Sequence, residues 1–364
     1  MTMERTAGRR SGRGIPAIAA AGALTVAGLL SGSAPAAGAV ASAADAGPVA
    51  RRSTPVAAVE AGTPDAPIEA VEAKAACATA PADSFWHAPV DDLPVHPSSD
   101  RYVASIGASA PLHPDFGSGL TDGRPFGIPI TVTDATVPQT EVSFDYAGES
   151  DPTGYRIPQD AKIENGPASS GDRHVIVWDR ALCKSYELWD ARRQGEHAWH
   201  AGSGAVFDLR SNRLRPDGWT SADAAGLAVL PGLVRYDEAA GGRVDHAIRI
   251  TVPRSDRSRL WPARHQAGTA ADASLPPMGL RLRLKGSVDT SRMGPQAKAV
   301  AEALKKYGAI VADNGSAWYI SGEENPGWDN AQLDALKALK GSDFEAVDTS
   351  GLARSPDSGA VAPK

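Results

Sequence analysis

Nine short runs with strand character, separated by turn residues, succeed one another between residues 127 and 321, and they restrict the fold more than any other feature. They cover 127–132, 141–147, 174–179, 185–190, 205–209, 243–252, 279–285, 310–313 and 317–321. Such a series argues against alternating βαβ units. It predicts a mainly β, α+β fold made as a β-sandwich or from jelly-roll-like curved sheets. The cleanest alternation is GLRLRLK, where Leu280, Leu282 and Leu284 form an expected core face and Arg281, Arg283 and Lys285 an expected wet face. GRVDHAIRITVP puts Val244, His246, Ile248, Ile250 and Val252 in one row, so an ionisable ring stands among aliphatics.

Helix enters late. GPQAKAVAEALKKYG has Pro295 early and Gly308 just past its end, the order that suits helix termini. A second helix is expected over about 330–340, capped by Asp329 and stopped by Gly341. The domain is expected to span 77–350, with a disordered tail over 351–364.

The chain opens with Arg5, Arg9, Arg10 and Arg13, an apolar stretch over 15–30 and small residues near 37–39, the make-up of an export signal over 1–39. An Ala/Pro-rich linker without aromatic residues is expected over 40–76. Removing 1–39 takes away four Arg and one Glu, so the net charge of -6 becomes -9, which speaks against general nucleic-acid binding. No later run reaches the ~18 apolar residues of a membrane span. A secreted, extracellular monomer without membrane attachment after signal cleavage is expected. Its two cysteines, Cys77 and Cys183, are expected to form one disulfide closing a loop of about a hundred residues.

Several strings together resemble a group of secreted actinobacterial proteins: DRHVIVWD (172–179), YELWDA (186–191), AGLAVLPGLVRYDE (225–238), GRVDHAIR (242–249), PPMGLRLRLK (276–285) and YGAIVADNGSAWYISG (307–322). The resemblance covers most of 86–349. It implies export and a single β-rich domain, and it carries no activity.

Chemistry must therefore come from side chains. Glycoside hydrolysis needs an acid and a base or nucleophile about 5–10 Å apart. Glu187 shares a strand face with Trp189, which pairs a carboxylate with a sugar-stacking ring, and Asp208 and Asp313 are candidate partners at strand ends. His174 and His246 are candidate proton carriers if their strands converge. Trp189, Trp219 and Trp261 are candidate sugar platforms, and Arg249, Arg264 and Tyr236 candidate substrate-binding groups. These residues point to a secreted carbohydrate-active enzyme, a glycoside hydrolase acting on an extracellular polysaccharide or cell-wall glycan. Two alternatives stand beside it. A polysaccharide lyase would use Arg to hold a carboxylate and Tyr236, His246 or His265 to move the proton; a noncatalytic protein would bind wall glycan. No cofactor is called for. Glu196, His197 and His200 in GEHAWH lie in a glycine-flanked loop rather than a metal motif, and neither a phosphate loop nor a G-x-S-x-G elbow occurs.

Overall fold

Each of the nine runs contributes a strand to the computed structural model, which describes residues 77–363 except 122, 134 and 135. The expected signal (1–39) and linker (40–76) lie outside the described residues. Strand outweighs helix, and the fold is mainly β of the α+β class.

A large sheet holds six strands in the order β1 (His113–Asp115), β14 (Tyr319–Ser321), β11 (Ile248–Val252), β13 (Ala309–Asn314), β12 (Arg281–Leu284) and β15 (Phe344–Val347). A middle sheet holds β10 (Ser203–Asp208), β7 (Lys184–Trp189), β6 (Val175–Asp179) and β4 (Ile130–Thr133). An outer sheet holds β5 (Glu141–Phe144), β9 (Ala198–Ala201) and β8 (Arg192–Arg193). Two hairpins complete the strands, β2–β3 (Leu120–Thr121 and Arg124–Pro125) and β16–β17 (Ala353–Ser355 and Ser358–Val361).

The middle sheet is apolar on both faces, which explains its layered surroundings. Val175, Val177, Tyr186 and Leu188 pack with Phe144, Trp199 and Ala201 of the outer sheet. Ile176 on the opposite face packs with Ala222, Val229, Leu230 and Leu233. Those last four belong to segment 221–235, which lies between the middle and large sheets and is hydrogen-bonded to both. Val229 and Leu230 donate to Glu187 of β7, while Ala225 donates to Ala312 of β13 and Val234 to Ser321 of β14. The string AGLAVLPGLV is thus the filling of the molecule, and its fully buried aliphatic side chains each contribute about 1.5–3 kcal/mol.

In the large sheet Ile248, Ile250 and Val252 join an apolar cluster with Ala297, Val300, Ala301 and Leu304 of α3 (Pro295–Lys306). Pro295 stands at the start of α3, and Asp329 caps α4 (Asn330–Asp334) by accepting from the Ala331 and Gln332 N–H groups. Two further helices, α1 (Ser99–Ile106) and the short α2 (Tyr236–Ala240), were not expected from the pattern. Cys77 and Cys183 are joined, with a Cα–Cα distance of 5.4 Å across 106 residues of sequence. Among the described residues no helix is long and apolar enough to cross a membrane.

Two expectations need correction. The arginine face of β12 is not wet: Arg281 is fully buried and donates to the carbonyls of Tyr307 and Phe85, and Arg283 donates to Glu345 and the carbonyls of Val90, Asp91 and Leu93. The segment 85–93 lies over that face, and its main-chain oxygens replace the solvent. Nor is 351–363 a frayed tail. It forms β16–β17, and Arg264 fastens the hairpin by donating to Pro356 O and Asp357 while its Nε donates to Arg215 O.

Candidate functional site: an acid-lined recess around Arg249

The site is assembled by strand register. Asp115 of β1 is opposite Ser321 of β14, and Arg249 of β11 donates to the Ser321 hydroxyl at 2.6 Å, so the three side chains share one sheet face. Asp313 reaches that face through an irregularity. Ile250 pairs with Val311 but Thr251 with Asp313, so Ala312 is an extra residue, and this bulge re-aims everything after it. Arg249 Nη2 then lies 3.8 Å from Asp313 Oδ2.

Arg249 is buried, and its guanidinium is held from below. Nε and Nη2 donate to the two oxygens of Asp223 at 3.1 Å each, a forked pair that neutralises two charges the interior would otherwise reject. Asp223 belongs to segment 221–235. The same segment meets His174 at the head of β6: Nε2 donates to Ala222 O at 3.1 Å, and Nδ1 donates to Glu164 at 2.7 Å. Both ring nitrogens therefore face acceptors. Burial alone would lower the His174 pKa, but the charge and hydrogen bond of Glu164 outweigh it and carry it up to about 9. Glu164 shifts reciprocally: burial would raise it, and His174 holds it below its ordinary value.

Asp115 and Asp172 have exposed side chains, and Asp313 remains 26% exposed. Even so, desolvation by surrounding protein raises Asp115, helped by the charges of Glu164 and Asp172. Desolvation likewise pushes Asp313 to about 7, with Asp223 adding to the rise and Arg249 opposing it. Asp115 and Asp313 are thus hemmed in by protein and yet reach water. The charge of Asp172 also raises Asp313, and its Oδ1 accepts from the Trp189 indole at 3.4 Å.

Trp189 extends the recess outward. Its ring centroid is 6.4 Å from that of the exposed Tyr146, and its far edge lies flat on the backbone at Gly202, where a Cβ would come within 2.3 Å of the ring. Beyond Tyr146 the turn at 147–149 brings Glu149 Oε2 to 3.7 Å from His265 Nε2, and His265 Nδ1 donates to Ala224 O, beside Asp223. His265 is thereby tied to the segment that carries Asp223, and Trp189 to Asp172.

Of the expected site residues, His174, Arg249, Asp313 and Trp189 gather here. The others do not. Glu187 is sealed between the sheets, accepting from Val229 N at 2.7 Å, Leu230 N at 3.1 Å and Ser185 Oγ at 3.0 Å; burial pushes it to about 7, but no substrate reaches it. Asp208 pairs with Lys184 in the register and so faces away from Glu187, whose partner is Ala205. His246 precedes β11 at a bend and spends its ring on Ala247 O and Glu238, so it belongs neither to the predicted row nor to the recess. Tyr236 packs edge-on against Trp328, and Trp261 packs against Phe85 and donates to Ser358 O. Arg264 is spent on the C-terminal hairpin, and Trp219 lines a separate hollow. His200 lies within strand β9 rather than on a helical turn, and among the described residues no three His, Cys, Asp or Glu side chains are placed to hold a metal ion.

The sequence reading missed Asp115, Glu164, Asp172, Asp223 and Tyr146. HPDF and SADAAG carry no motif: strand register brings Asp115 to the face of Arg249, while Asp223 arrives from the irregular segment 221–235. Against known proteins the chain matches no protein family, no curated protein and no solved structure.

Proposed function

We propose that the chain is an exported glycoside hydrolase whose reacting centre is the recess around Arg249, not the Glu187 strand. In this reading Asp313, raised to about 7, is the general acid that protonates the leaving oxygen. Asp172, exposed and near enough to raise Asp313, is the base or nucleophile. Tyr146 and Trp189 offer a stacking surface for the neighbouring sugar. Asp223 and Ser321 position Arg249, and the His174–Glu164 pair holds the 164 loop against β6.

The carrying observation is convergence: carboxylates at 115, 164, 172, 223 and 313, far apart in sequence, act electrostatically on one another or on one buried guanidinium, and those at 115, 172 and 313 reach water. The disulfide suits an oxidising compartment and so agrees with export. A lyase is less well supported, because it needs a cation free to hold a uronate carboxylate. Arg249, Arg264, Arg281 and Arg283 all have their guanidinium groups engaged by protein acceptors.

The test is to incubate the folded chain with a panel of plant, fungal and bacterial wall polysaccharides and measure new reducing ends. Release by the native chain that is lost in both Asp313→Asn and Asp172→Asn supports the reading. Release that persists in both variants, products absorbing near the ultraviolet band of an unsaturated uronate, or no release from any glycan overturns it.

A further inference from the structure

The outer sheet has two unlike faces. Val142, Phe144, Trp199 and Ala201 pack inward, so the alternate residues Ser143 and His200 stand on the opposite face. Asp145 N donates to Ala201 O, which carries the alternation one residue past β5 and puts Asp145 on that face as well. Register sets these side chains beside one another. Ser143 of β5 is paired with His200 of β9, and His200 in turn with Arg192 of β8. Ser143, Asp145 and Arg192 are exposed, and the His200 side chain keeps 26% of its surface.

The distances make a chain of three groups. Ser143 Oγ lies 3.1 Å from His200 Nδ1, and His200 Nε2 lies 3.2 Å from Asp145 Oδ1. An ionised carboxylate only accepts, so Asp145 holds the ring proton on Nε2 and leaves Nδ1 bare to accept from the Ser143 hydroxyl. The hydroxyl's other acceptor, Trp199 O, is farther away at 3.5 Å. A hydroxyl within reach of a base, with the base oriented by a third group, is the arrangement that turns serine into a nucleophile.

We propose that Ser143, His200 and Asp145 cleave carboxylic esters of short acyl groups, Ser143 as nucleophile, His200 as base and Asp145 as the residue that positions the ring. Ser143 Oγ attacks the acyl carbon while its proton passes to His200 Nδ1. The tetrahedral species then expels the alcohol, which leaves with that proton. Water attacks the acyl-serine and gives a proton to Nδ1, the carboxylic acid departs, and the proton returns to the Ser143 hydroxyl. Arg192, opposite His200 in the register, supplies positive charge on the face where the oxyanion develops. The nucleophile is on an exposed strand, so the acyl group lies on the sheet, which suits acetyl better than a long chain. This activity concerns esters and does not rest on glycoside hydrolysis in the recess.

The full chain is mixed with p-nitrophenyl acetate, nitrophenolate release is followed, and the acetylated site is located by peptide mass spectrometry after acid quenching. A burst of about one equivalent is expected, with the acetyl group on Ser143. Ser143→Ala abolishes the burst, and His200→Gln slows acetylation by about 10²-fold or more, the scale of losing a general base. Asp145→Asn lowers kcat by about tenfold or more with KM within about twofold, as for a wrongly held imidazole. Should His200→Gln fail to fold, Ser143→Ala at its exposed position carries the test. The proposal is overturned if there is no burst, if the acetyl group is found on His200 or elsewhere, if folded Ser143→Ala releases nitrophenolate as the native chain does, or if folded His200→Gln is acetylated at the native rate.

Discussion

Arg249 and Asp313 face each other across adjacent parallel strands because Ala312 is an extra residue between them in the ladder. The bulge is fixed by a second interaction, since the Ala312 carbonyl accepts from Ala225 N at 2.8 Å. One inserted alanine thus decides whether the raised carboxyl points at the arginine or away from it.

For Asp313 the sign of the pH effect is set by its raised pKa. Its ordinary value is 3.8 and its folded value about 7, so ionisation costs the folded state progressively between those values. Hydrolysis that needs the protonated form falls off as pH rises above about 7. Asp313→Asn lowers turnover by about 10²–10⁴-fold, as for loss of a general acid, and it gains stability relative to the native chain above neutrality. Rate–pH profiles and urea melts at pH 5 and 8 measure both effects.

Asp223→Ala leaves Arg249 as a buried charge without its forked partner. The cost is about 3–5 kcal/mol, the scale of breaking one side of a buried ion pair. Urea denaturation reads it as a lower midpoint with an unchanged slope. A change below about 1 kcal/mol would show that the pair is not desolvated in solution.

Glu187→Gln separates structure from catalysis. The amide replaces an oxygen that accepts a main-chain N–H with a group that donates, so a tether of segment 221–235 is lost at a cost of about 1–3 kcal/mol. Turnover per folded molecule is unchanged, since the side chain is sealed from substrate. A catalytic defect at full folding would restore Glu187 to the reacting centre.

The His174–Glu164 pair gives stability its own pH window. The raised His174 contributes fully below its ordinary 6.5, and that contribution is lost as pH rises through about 9. The lowered Glu164 contributes above its ordinary 4.5 and is lost as pH falls through its depressed folded value. His174→Gln is expected to flatten the thermal-stability profile on both sides of the window between about pH 4.5 and 6.5. Melting temperatures across pH 4–10 test it.

Much of the scaffold could be read from short-range pattern. Alternation placed the nine strand runs, proline and Asp329 marked the late helices, and two cysteines behind an export-like start implied their bond. What failed were inferences about which face is wet. Arg249 and Arg281 alternate with aliphatics, yet both are buried because segments distant in sequence, 221–235 and 85–93, cover those faces with acceptors. His246 broke its row because the chain bends before Ile248, and Ala247 N bonds to Trp86 O rather than to a neighbouring strand of the sheet. Helix α1 escaped notice because Tyr102, Val103 and Ile106 make a buried stripe on only eight residues. The site was half visible, in His174, Trp189, Arg249 and Asp313. Of its remaining acids, Asp115 arrives through register and Glu164, Asp172 and Asp223 through irregular segments distant in sequence, which no local window contains.

The recess draws Asp115, Arg249 and Asp313 from one sheet and Asp172 and His174 from the entry to another, with Asp223 in the filling between them. Neither half owns a working centre. Any turnover by the proposed centre would accordingly serve as a gauge of completed assembly, and a single backbone cut within 221–235 would separate its groups while leaving each sheet's own ladder intact.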